Sequence, residues 1–257
     1  MNFTEAQILG QAASFFLPMI RIGAMFAAIP LFSLQAVPAR VRLILTAAMT
    51  FVVMPLLPTL PAVDMVSYEG MMIAVQQVMI GLAIGFIVQM VFSALAFAGQ
   101  SIALSMGLGF ASMVDPQNGQ QVPLVSQLYT ITGTLVFLSL DGHLLLIKML
   151  LDSFTSLPIG QNGLAKADIW TLIAWSSRMF AGGVLLAMPL VISLLLINIG
   201  FGVATRAASQ LNIFSVGFPV TLMLGLALIW LTFPNVLSQL SGILTDAYEL
   251  IEQLLRL

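Results

Sequence analysis

Charged residues divide this chain into apolar tracts far longer than the core of a water-soluble domain requires. No Asp, Glu, Lys or Arg occurs between Glu69 and Asp115, between Arg178 and Arg206, or between Arg206 and Asp246. A helix crosses a hydrocarbon core with roughly 20 mostly apolar residues, and each of these gaps is longer. The pattern predicts helices over residues 6–32, 41–57, 70–98, 100–113, 122–151, 169–204 and 211–247. The breaks have a chemical cause, since proline removes a backbone donor and glycine adds backbone freedom. Pro30 and Pro38 flank the turn before Arg40 and Arg42. Pro55, Pro58 and Pro61 stop the second tract, and Pro158, Gly160 and Gly163 mark a surface loop.

Polar side chains interrupt the apolar runs at intervals. Between residues 70 and 113 stand Gln76, Gln77, Gln89, Ser93, Gln100, Ser101 and Ser105. A lipid-facing position offers an amide no partner, whereas a helix–helix seam does. Gly81, Gly85, Gly107 and Gly109, with Ala83, Ala94, Ala96 and Ala98, would let backbones approach closely. A bundle packed on itself and a surface packed on partner subunits both fit; the number of polar notches in so short a chain favours partners. Arg21 lies inside the first tract and is expected to face protein rather than lipid.

Composition agrees with the pattern. The chain is 60% hydrophobic and 7% charged, with a mean hydropathy of +1.08; ordinary globular domains carry roughly 25% charged residues. This is the composition of an all-α integral membrane protein. A net charge of -2 and the absence of any Lys/Arg cluster exclude a nucleic-acid footprint. With no Cys, disulfides and thiolate metal sites are excluded. The N-terminal residues lack the basic region of a signal peptide, so membrane insertion is expected to rely on the first hydrophobic span. Arg40 and Arg42 place the first loop on the cytoplasmic side, and Asp64 and Glu69 mark the next.

Three segments carry more than packing information. In the first, Gly107, Gly109, Phe110, Met113, Asp115, Pro116, Gln117 and Asn118 belong to a Gly- and amide-rich linker over residues 107–123. Its backbone groups would cost several kcal/mol each if they faced lipid. An extramembrane turn and a re-entrant loop lining or closing a pore both satisfy that constraint. In the second, Asp141, Gly142 and His143 follow an apolar run. A lone His without Cys is a poor metal site, so a structural turn with Asp141 capping the next helix is the expectation. In the third, residues 206–219, a cytoplasmic hairpin fits, yet the polar density around Arg206, Gln210, Asn212 and Gly217 exceeds what a simple turn needs, and Ser209 to Asn212 could cap helices or bind a partner backbone.

Enzymatic readings find no support. There is no P-loop, no dinucleotide fingerprint and no nucleophile elbow, and His143 is the single imidazole. The alternative to an assembly component is a small-solute secondary transporter or channel, since broken helices mark that class. Transporters usually place ionisable groups at the midplane, and here nearly all charges lie at tract ends.

At these residues the chain resembles the FliR family of flagellar biosynthesis proteins, shared with the equivalent export-apparatus subunit of injectisomes. The resemblance covers essentially the whole length. It is carried by Arg21, Ile22 and Gly23 with Pro30, Pro38, Arg42 and Pro55. It continues through Met106 to Gly109 with Asp115, Pro116 and Gln117, and through Asp141, Gly142 and His143 with Ser153, Phe154 and Pro158. The most diagnostic stretch holds Arg206, Ala207, Ala208, Gln210, Leu211, Asn212, Ile213, Phe214, Gly217, Phe218 and Pro219; Ser209 stands where the family often has Pro.

The resemblance implies a single domain over residues 1–257, with FliP-like and FliQ-like portions, in a type III protein export gate. It implies partners FliP and FliQ in a helical, pore-forming assembly, with FlhB and FlhA nearby, and unfolded flagellar subunits as cargo. It implies the inner membrane as location, with part of the assembly above the membrane plane, and no cofactor. The loop at 107–123 matches the family's plug, and flanking Met106 and Met113 would suit a deformable seal. Arg206, Gln210, Asn212, Phe214, Gly217, Phe218 and Pro219 would serve assembly.

Overall fold

The computed structural model describes residues 5–33, 37–57, 67–108, 124–160, 163–207 and 217–257. Their elements are helical. They are α1 (Glu5–Ala28), the short α2 (Pro30–Ser33), α3 (Ala39–Val53) and a 3₁₀ turn at Met54–Leu56. Then come α4 (Tyr68–Ser105), α5 (Leu124–Ser139), α6 (Gly142–Ser156), α7 (Lys166–Ala207) and α8 (Phe218–Leu255). Among the described residues, four helices are long and apolar enough to span a membrane, or five spans if the bent pair α5 and α6 is one. This is an all-α membrane protein.

Several boundaries differ from the sequence expectation, each for a physical reason. Residues 70–98 and 100–113 were expected as separate pieces, yet α4 runs unbroken through Gly99 to Ser105. Gly99 is a packing residue: a Cβ there would meet the backbone of Ser126 on α5. Ser126 Oγ donates to the Ala96 carbonyl at 2.9 Å, so the two helices are in direct contact. Conversely, the tract 122–151 is two helices, broken at Leu140 and Asp141. The tract 6–32 breaks at Ile29, ahead of Pro30. Pro18, Pro189 and Pro234 all lie inside helices, as apolar surroundings and neighbouring helices allow.

The chain forms two compact units. One holds the residues up to Met90 with Leu138–Ser176 and Thr245–Leu257; the other holds Val91–Phe137 and Ser177–Leu244. The first unit is built on α1, α3, α6 and the early part of α4. Ile22, Met25, Ile80, Ile84, Ile87 and Phe154 are essentially sealed within it. Gly81 and Gly85 set the closeness of α1 to α4. A Cβ on Gly81 would strike the Arg21 carbonyl, and one on Gly85 would lie 2.8 Å from the Met25 carbonyl. In the second unit Phe92 and Phe137 meet edge to face with centroids 5.9 Å apart, and Phe97 meets Phe180 likewise at 6.0 Å.

Burial separates the long helices. The apolar span of α4 is 67% buried, against 17% for Ala39–Leu56, 28% for α7 and 22% for α8. So α4 is a core helix, while the other three carry faces of large apolar side chains outward. Leu43, Ile44 and Phe51 of α3, Leu196 and Val203 of α7, and Met223, Trp230 and Leu231 of α8 are all well exposed. Water does not tolerate contiguous apolar surface on that scale.

Candidate functional site

Two polar nodes stand out against this background, one in each unit. The first is centred on Arg21, which is fully buried on α1. Its Nε donates to Gln77 Oε1 of α4 at 2.8 Å. Its Nη1 donates to the Ser153 carbonyl at 2.9 Å and to Ser153 Oγ at 3.0 Å, and its Nη2 donates to the Leu157 carbonyl at 2.9 Å. The guanidinium carbon lies 4.3 Å from the centroid of the Phe154 ring, within cation–π range. Ser153 and Leu157 sit in the last turn and at the C-cap of α6. Carbonyls at a helix C-terminus form the negative end of the helix dipole and have acceptor capacity to spare for a cation. The planar fork of Arg suits this set of divergent acceptors, and one side chain thereby ties α1, α4 and the end of α6 together.

The expectation that Arg21 faces protein is met. Gln77 turns out differently from the partner-facing reading of the polar notches: it is 1% exposed and its amide oxygen is engaged within the chain. Ser101 and Ser105 likewise bond back to the Phe97 and Ser101 carbonyls at 2.9 Å each. These notches are satisfied locally and need no partner subunit.

The second node lies where α4 ends and α8 begins. Gly107 has φ +83, in the left-handed region that favours glycine. Its N–H donates to the Leu104 carbonyl at 3.0 Å while the Leu108 N–H donates to Ala103 at 3.0 Å. This pair of bonds is the Schellman termination of a helix. A Cβ on Gly107 would come within 3.2 Å of the Phe218 ring, at the first residue of α8. Met106 is 1% exposed, and its side chain fills the space where a Cβ on Gly225 would sit. Asn198 of α7 donates from Nδ2 to the Ser105 carbonyl at 3.3 Å and accepts from Thr221 Oγ1 of α8 at 3.4 Å. Thr221 Oγ1 also reaches the Gly217 carbonyl at 2.8 Å. The roots of the two informative loops, residues 107–108 and 217–218, are therefore adjacent and pinned by one amide.

Sequence reasoning singled out the loops but missed Asn198. The signal was present, since Asn198 is the single amide side chain between Arg178 and Arg206. Asn198→Leu is expected to cost about 1 kcal/mol, the net worth of typical hydrogen bonds, because both bonds are long. Thermal unfolding of the detergent-solubilised protein should show a small downward shift at unchanged expression; no shift would mean that the amide holds nothing.

Of the other expected site residues, Gly109, Phe110, Met113, Asp115, Pro116, Gln117, Asn118, Gln210, Asn212 and Phe214 lie outside the described residues. Arg206 is exposed in the last turn of α7, where a cation complements the helix dipole. Gly217 is buried and Pro219 exposed, with Pro219 in the first turn of α8, where its missing N–H costs no helical bond. Asp141 occupies the N-cap of α6, yet the expected side-chain cap is absent. Its φ of 55 places it in the left-handed region rather than the extended one that caps by side chain. Its carbonyl instead accepts the Leu144 and Leu145 N–H groups at 2.9 and 3.1 Å. His143 is half-buried in the first turn of the same helix. Among the described residues no group of three His, Asp or Glu side chains is close enough to hold a metal.

Long apolar helices with outward apolar faces, packed around a buried arginine, define an all-α membrane protein. The chain belongs to the bacterial export proteins, family 1, whose model matches residues 12–247. It is 35% identical to the flagellar biosynthetic protein FliR of Escherichia coli K12 over 255 residues, covering 99% of this chain and 97% of that one. It is 31% identical to FliR of Aquifex aeolicus, covering 92% and 91%. It is 30% identical to FliR of Bacillus subtilis, covering 88% and 90%. It is thus a component of the flagellar export apparatus.

Proposed function

We propose that this chain is a structural and pore-forming subunit of the flagellar type III export gate in the bacterial inner membrane. It assembles with FliP and FliQ, beside FlhB and FlhA, into a conduit for unfolded flagellar subunits, and performs no catalysis. The 107–123 segment acts as the plug, rooted by Met106 and Gly107, with Met113 completing the seal. Residues 206–219 serve subunit assembly. The single observation that carries this reading is the common root of the two loops: Gly107 against Phe218, bridged through Ser105, Asn198 and Thr221. Two polar segments whose roots are held at one place are suited to acting together at one end of the conduit. The outward apolar faces of α3, α7 and α8 supply area for sister subunits and lipid.

Deleting residues 110–120 is expected to raise small-solute permeability of cells that express the complete gate, because the pinned roots stay while the seal is gone. Unchanged permeability in a gate shown to be assembled would remove the plug role. Solute uptake by the chain alone in vesicles under an ion gradient would instead favour a transporter.

A further inference from the structure

Beside the buried core of the first unit, α1, α3 and α4 leave a groove of about 650 Å³, within the roughly 300–1,000 Å³ typical of ligand pockets. Phe16, Met19, Phe26, Leu43, Val78 and Leu82 are among the residues of its apolar wall. One cation enters this wall. Arg42 lines the groove, and its Nε is shielded from solvent with no hydrogen-bond partner among the described residues. Thr46, the other polar side chain in the wall, spends its hydroxyl on the Arg42 carbonyl at 2.8 Å. Among the described residues no acidic side chain lines the groove.

Arg42 stands in the first turn of the candidate span Ala39–Leu56, and the end of a helix that crosses a bilayer lies near the headgroups. Arg40 is exposed beside it, and the N-cap Pro38 provides no side-chain cap, which leaves the positive end of α3 open. Basic pockets between membrane helices on the cytoplasmic side suit anionic headgroups, and guanidinium binds phosphate by charge-assisted, forked hydrogen bonds.

We propose that this groove is a binding site for one anionic phospholipid, with an acyl chain along the apolar wall and the phosphodiester on Arg42. Free phosphate would leave the apolar wall uncovered. A zwitterionic lipid would bring an ammonium group to a wall that carries Arg42 and, among the described residues, no acid. The inference rests on the membrane placement of these helices and not on their role in export.

The test uses the complete gate, and in parallel the full-length chain, in nanodiscs containing phosphatidylglycerol with a photoactivatable acyl chain in a phosphatidylcholine background. Native mass spectrometry should show retained phosphatidylglycerol, and crosslinks should map to peptides covering residues 19–46. Arg42→Gln should lower retention about ten-fold, the loss of one charge-assisted contact, while Arg42→Lys should keep part of it. Ala27→Phe, which narrows the groove from an exposed position, should remove the acyl crosslinks with the headgroup residue intact. Three results would overturn the site: equal retention in Arg42→Gln, equal capture of phosphatidylcholine, or crosslinks from Leu43 to a neighbouring protein subunit in place of lipid. Loss of lipid with the gate still assembled leaves the export reading untouched. Failure of the gate to assemble leaves the lipid arm readable on the chain alone.

Discussion

Replacing Arg21 with Ala is expected to prevent the chain from accumulating in a folded form. The substitution strips Gln77 Oε1 and the Leu157 carbonyl of the donors that satisfy them, at residues sealed from solvent. Each buried acceptor left bare costs about 1–3 kcal/mol, so the pair alone amounts to about 4 kcal/mol before the emptied volume is counted. The Ser153 carbonyl suffers less, because the Leu157 N–H already donates to it at 3.0 Å. Arg21→Lys separates charge from shape. A single ammonium cannot reach acceptors on α4 and at both ends of the Ser153 to Leu157 turn, so this variant should fall well below the wild type in thermal stability and export-dependent motility. Wild-type accumulation and motility of Arg21→Ala would show that the node is dispensable.

Gly81→Ala should also damage the protein, by about 2 kcal/mol, although alanine is the better helix former by about 1 kcal/mol. The new methyl would strike the Arg21 carbonyl and lie 2.9 Å from the Ala24 Cβ, both on α1. Backbone cannot step aside as a flexible side chain can, so α1 would have to move and take the Arg21 bonds with it. Gly200→Ala is the matching control. Nothing lies within 4 Å of a Cβ at that position of α7, so its thermal stability should hold or rise slightly. Equal behaviour of the two variants in thermal unfolding would refute the close-approach argument.

These two sites show what kind of feature is visible from residues alone. Arg21 was conspicuous as a charge inside an apolar tract, and burying it demanded protein contact. Its partners were not visible, because Gln77, Ser153 and Leu157 stand 56, 132 and 136 positions away, and apolar periodicity says nothing about which helices meet. The expected break between residues 98 and 100 failed for a related reason, at Gly99. Glycine that ends a helix and glycine that admits a neighbouring helix are the same residue, and only the presence of Ser126 against it decides. Asp141 was placed correctly at the start of a helix, while its capping mode depended on a backbone angle that no side-chain preference dictates.

The sequence by itself determined that the chain is helical, apolar and suited to a membrane, because composition and tract length bear directly on solvation. It also marked two polar linkers by their Gly, Pro and amides, although it ran helix to residue 113 and from residue 211 where the structure ends α4 at Ser105 and begins α8 at Phe218. Tertiary structure alone decided that α4 is the buried helix while α3, α7 and α8 face outward, that Arg21 closes the end of α6, and that Gly107 and Phe218 share a root. Those facts depend on distances between residues remote in the chain, and a free energy of contact exists only once the helices have met.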